Sequence, residues 1–180
     1  MRVIRAAALV GLSLGYSQMS LSHVVLAEPA ALAGTSYRAA LRVGHGCGDS
    51  PTTEMRVEIP AHFRGAKPMP KTGWKLTTYK TALAKPYDSH GRQVTEDVSE
   101  IVWTATSPEH WLADAHYDEF VFRGGLAPVA GPMWFKVVQT CAQGSNRWVE
   151  VPASGSATRG LQWPAALLDV IESGPAVHQH

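Results

Sequence analysis

Residues 52–59 (TTEMRVEI) alternate between polar and apolar side chains without a break, and Pro60 ends the run. A period of two sends Glu54, Arg56 and Glu58 to one face and Met55, Val57 and Ile59 to the other, which is a half-buried β-strand rather than a helix. Stretches of similar character recur at residues 37–43, 74–83, around 101–103, 117–123, 133–141 and 147–151. Between them lie GHGCGDSP (44–51), KPMPKTG (67–73), a polar stretch at 85–92 and a loop at 107–116 with room for one helical turn. About seven short strands separated by turn signals predict an all-β fold, an antiparallel sandwich of immunoglobulin-like topology. The 16 Gly and 12 Pro supply the turns.

The 180 residues are 45% hydrophobic and 17% charged, which suits one domain with a core and is too apolar for a disordered chain. A formal net charge of +1 provides no global field for nucleic acid.

The N-terminus reads as a secretory signal peptide. Arg2 and Arg5 precede an apolar stretch from Ala6 to about Tyr16, followed by small and polar residues up to Ser22. The apolar run is well short of the roughly 20 residues that span a bilayer. Ser20-Leu21-Ser22 offers a cleavage site that leaves His23 first; Val25-Leu26-Ala27 offers a second that leaves Glu28. The spacing favours the first. The expected layout is a signal peptide at 1–22, a β-sandwich domain at 23–152 and a partly mobile tail at 153–180, in which 164–171 is the one stretch suited to a short helix. No second long apolar stretch follows, so the mature chain is expected without a transmembrane anchor, in the periplasm or secreted.

Cys47 and Cys141 are the two cysteines. In an oxidising compartment they are most simply one disulfide. It would close a loop of roughly 95 residues, for which chain entropy gives about 4 to 5 kcal/mol. A pair of thiolate metal ligands is the competing reading.

An exposed N-terminal His carries two donors in one residue, its α-amine and its imidazole. Nitrogen donors in a near-planar arrangement suit Cu(II), and a carboxylate oxygen would complete the plane. Other chemistries lack their signatures. After Cys141 the chain has no Met, and its next His is His178, so no blue-copper loop is present. Paired Cys-x-x-Cys, His-Glu-x-x-His, a Gly-x-Ser-x-Gly elbow and a Walker loop are all missing from the sequence.

The segment HVVLAEPAALAGTSYRAALRVGHGCGDSPTTEMRVEIP resembles the start of the YcnI-like copper-binding domain family. KPMPKTGW (67–74), EIVW (100–103), YDEFVF (117–122), WFKVVQTC (134–141) and the Gly144 to Trp148 turn follow in the family's order. The resemblance implies a mature start at His23, an immunoglobulin/cupredoxin-like sandwich and a copper site of the single-histidine-brace type. In that site His23 binds through amine and ring, Glu54 supplies oxygen and Trp148 stands close by. His45, His178 and His180 are further possible contacts. The implied role is holding or passing Cu(II) in the cell envelope, not catalysis, with a membrane copper transporter or another envelope copper chaperone as the partner. A copper oxygenase, with a second His from among His45, His62, His90, His110 and His116, is the alternative. A metal-free interaction domain is the other.

The exported protein is expected to begin at His23. Intact mass checks this, and a chain starting at Glu28 would remove the chelating residue.

Overall fold

The computed structural model describes residues 23–173. The expected leader, residues 1–22, lies outside them, as do His178 and His180. Twelve strands occur among the described residues: β1 (Val25–Leu26), β2 (Ala30–Leu32), β3 (Ser36–Val43), β4 (Thr52–Glu58), β5 (Phe63–Pro68), β6 (Trp74–Ser89), β7 (Arg92–Ala105), β8 (Asp118–Leu126), β9 (Gly131–Phe135), β10 (Val137–Cys141), β11 (Ser145–Trp148) and β12 (Ala166–Ile171). One 3-10 turn covers Pro108–His110.

The strands form a four-stranded sheet in the order β1-β3-β8-β5, a five-stranded sheet β11-β10-β4-β7-β6 and a three-stranded sheet β2-β12-β9. The alternation of β4 works as its sequence demands. Met55 and Val57 are fully buried, and Glu54 and Arg56 face the other way. The core gathers Leu41, Phe120 and Phe122 from the first sheet, Met55, Ile101 and Trp103 from the second, and Phe135 and Leu168 from the third. Phe63, Phe122 and Phe135 pack edge to face, with centroids 5.4 to 5.6 Å apart, which adds to what their burial contributes.

Three stretches fold differently from the sequence expectation. Residues 166–171 are a strand, not a helix: Ala166, Leu168 and Val170 are buried at a period of two. β12 runs antiparallel to β9 and parallel to β2, so the sandwich continues past residue 152. The proline-rich stretch at 67–73 begins inside edge strand β5, where a proline costs no ladder bond. The polar stretch at 85–92 belongs to a long hairpin of β6 and β7, paired from Trp74↔Ala105 to Ser89↔Arg92. Its tip, His90-Gly91, has φ of 52° and 74°, the left-handed pair that a tight hairpin turn needs.

Tyr37 anchors the segment after His23. Its hydroxyl donates to the Glu28 carbonyl. Burial first, and then the charge of Glu28, push its phenol up to about 12. A phenol raised above its ordinary value of about 10 supports the fold below that pH and loses the support as pH climbs from 10 toward 12. Phenolate absorbance should therefore show a late step near pH 12, reduced in amplitude by Tyr37→Phe. Stability in denaturant should fall across that window more steeply for the unmodified chain than for the variant.

Candidate metal centre

His23 lies one strand away from the loop that carries Cys47. β1 pairs antiparallel with β3 through Val25↔Arg42 and Leu26↔Leu41. Continued beyond its last pair, that register leads the chain at His23 toward Gly44 and the loop that begins there. His23 and His45 lie beyond the last paired residues, so the pleat no longer dictates where their rings turn.

The loop at 44–51 is held by buried polar groups. Gln139, on β10, is buried, and its Nε2 donates to the His45 carbonyl at 2.7 Å and to Thr52 Oγ1 at 2.8 Å. Asn146, on β11, donates through Nδ2 to the Gly46 carbonyl at 3.3 Å and to Gln139 Oε1 at 3.0 Å. The Gly46 amide donates to Asp114 Oδ1 at 2.8 Å. A Cβ at Gly46 would lie 2.0 Å from the Ser50 carbonyl oxygen, so only glycine closes this turn. Cys47 and Cys141 form a disulfide that spans 94 residues and ties the loop to β10. The thiolate-ligand alternative therefore falls away.

Trp148 follows Asn146 by two residues and shares its face of β11. It is fully buried, its ring centroid 5.2 Å from that of His23 and 4.8 Å from that of Trp163. Its Nε1–H has no acceptor among the described residues, a cost of about 1 to 3 kcal/mol for a buried donor. His45 Nδ1 donates to the Gly46 carbonyl at 2.6 Å. That bond orients the ring against its own loop. His23 also borders a cleft of about 270 Å³ lined by Val25, Pro29, Pro164 and Leu167.

Glu54 lies on β4. It lies on the outer face of the five-stranded sheet, where its carboxylate accepts from Arg56 Nη2 at 3.2 Å and from Thr104 Oγ1 at 3.1 Å. Trp148 aligns with Val57 through Val137, three residues along β4 from Glu54, roughly 10 Å, and points into the core. The carboxylate expected as a ligand is thus engaged by Arg56 and Thr104. Among the described residues no three His, Cys, Asp or Glu side chains cluster as a metal site. Of the other histidines, His62 lines a cleft with Trp134, His90 caps the hairpin, His110 stands against Gly73 and His116 follows Ala115 in the loop before β8. His45, expected as a further contact, sits in the GHGC run directly after β3.

A family profile described as a domain of unknown function (DUF1775) matches residues 23–170. Among solved structures, the chain is similar to an uncharacterized protein from Nocardia farcinica described as having an immunoglobulin-like fold. They share 23% identity over 82% of this chain and 97% of that one, with a TM-score of 0.63, a likeness of fold. A more distant likeness is the seventh ScaB type I cohesin from Pseudobacteroides cellulosolvens, 11% identical over 88% of this chain and 97% of that one, with a TM-score of 0.44. No curated protein matches.

Replacing Cys47 and Cys141 by Ala should destabilise the chain by about 2 to 5 kcal/mol. It should also loosen the 44–51 loop first, read as faster amide exchange at Gly46 and Cys47 than in the β3 and β8 strands.

Proposed function

The chain belongs to the DUF1775 family, and from that premise we propose that it holds Cu(II) and passes it on outside the cytoplasm, through His23 and His45. The observation that supports this reading is the His23 ring against buried Trp148, with β1 running beside β3 toward the loop that carries His45. Once residues 1–22 are removed, His23 would supply an α-amine and an imidazole, and the His45 imidazole a third nitrogen. Three nitrogens suit Cu(II). The disulfide fits an oxidising compartment, in which a membrane copper transporter or a second copper carrier is the natural recipient.

This reading keeps the N-terminal chelate expected from the sequence and exchanges Glu54 for His45. Two imidazoles and an amine are also the donor set of a copper oxygenase, which remains the second reading. The carrier reading is favoured by the surroundings of His23. Trp148 lies 5.2 Å from the His23 ring and is backed by the tilted Trp163 ring at 4.8 Å, so oxidisable indoles stand close to the ion. Peroxide-driven turnover of a small reductant by the copper-loaded protein would decide for the oxygenase.

The test titrates the exported chain with Cu(II) against a competing chelator, with His178 and His180 replaced by Ala to silence the tail. One ion per chain is expected. An extra residue before His23, or His45→Ala, should each weaken binding at least about tenfold, or 1.4 kcal/mol. Glu54→Gln should leave it within about a factor of two, since an exposed partner contributes little. Equal affinity with and without the added residue overturns the reading.

A further inference from the structure

β5 carries one residue more than its neighbour. Arg64 pairs with Gly125 and Lys67 with Arg123, so three steps on β5 match two on β8. In a regular strand Arg64 and Lys67 would point to opposite faces. The bulge, with Gly65 at a φ of 61°, turns both to the outer face, while Phe63 and Ala66 both fill the core. Across β8, Arg123 is directly opposite Arg38. Arg38, Arg123 and Lys67 thus form a row over three adjacent strands, about 4.8 Å per step, with Arg64 beside it.

Like charges set directly opposite destabilise a sheet. Arg38 has a counterion, Glu119 at 3.7 Å, and Arg64 lies over the Tyr87 ring at 4.6 Å. Among the described residues, neither Lys67 nor Arg123 has an ion pair within 4.0 Å. The far end of the β6–β7 hairpin folds across this edge. The Gly65 amide and the Tyr87 hydroxyl both donate to Asp97 Oδ2, at 2.8 and 2.6 Å, which occupies that carboxylate. A cleft of about 430 Å³ results, with Arg64, Lys67 and Arg123 on one side, residues 87–90 on the other and Gly124-Gly125 at its floor. Asp88 borders it too, and its Oδ1 accepts from the Gly91 amide at 3.1 Å.

We propose that this cleft binds a phosphate- or sulfate-class oxyanion through Arg64, Lys67 and Arg123. Guanidinium forks match the paired oxygens of such groups. The cleft lies in the size range of small-molecule sites, about 300 to 1,000 Å³, so the anion fits as a free ion or as an ester on a sugar-sized body or a lipid headgroup. The site is independent of the copper reading.

The full exported chain is titrated with inorganic phosphate, and with chloride at matched ionic strength, while NMR follows the Gly65, Gly124 and Gly125 amides. Saturable shifts with phosphate alone are expected. Lys67→Gln with Arg123→Gln should weaken phosphate binding at least about tenfold without lowering the melting temperature, and Arg123→Lys should restore part of it. A parallel arm measures sedimentation with phosphatidylglycerol vesicles against phosphatidylcholine ones. Binding to anionic vesicles that the double variant loses assigns the group to a lipid headgroup; saturation by free phosphate without it assigns the group to a soluble ester or ion. Identical shifts with chloride together with no vesicle binding, or a double variant that binds as tightly as the unmodified chain, overturn the proposal.

Discussion

The edge of the sandwich where the two large sheets meet is held by one buried amide pair. Gln139 and Asn146 bond each other and reach across to the His45 and Gly46 carbonyls and the Thr52 hydroxyl. A buried network of this kind is stabilising only when all its members are satisfied. Here the loop's own carbonyls complete it, so the loop's path and the network's satisfaction are one condition. The Cys47–Cys141 bond repeats the same tie covalently. Everything proposed for His23 and His45 relies on this tie, because the four-stranded sheet alone would leave the loop free to leave Trp148.

Much of this frame was legible in the residues. The alternation of TTEMRVEI placed Met55 and Val57 inside, and two cysteines behind an expected export signal implied their bond. Other parts were hidden for physical reasons. The distal halves of β6 and β7 are exposed on both faces, so no alternation marks them as strands. β12 was ambiguous because Leu167, Leu168 and Ile171 are apolar and short runs of that kind fit a helix or a strand equally. The bulge in β5 is set by backbone conformation at one glycine, and a Gly within a strand announces only that something irregular happens there. Glu54 illustrates the deepest limit. Its place on the polar face of β4 was legible, and its partners Arg56 and Thr104, the latter on a neighbouring strand, are fixed only by the sheet register.

The two faces of the β1-β3-β8-β5 sheet carry opposite burdens. Inside, Phe120, Phe122 and Leu41 are packed without exposure beyond 1%, and a sheet so anchored keeps its register. Outside, that fixed register forces Arg38, Arg123 and Lys67 into line. A looser sheet would slip to separate them. The charge row is therefore maintained by core packing on the far side, so repulsion persists as a property of the native state.

β1 contributes only two paired residues, Val25 and Leu26, at the margin of its sheet. Its opening disrupts few bonds, whereas opening β3 or β8 dismantles the core. Segments with so few partners detach in local excursions far less costly than global unfolding. Any ion fastened to the first residue of such a strand can depart when the strand peels back, with the rest of the molecule intact. The lifetime of a bound ion and the durability of the fold are thereby uncoupled. A carrier can be both long-lived as a protein and quick to surrender what it carries.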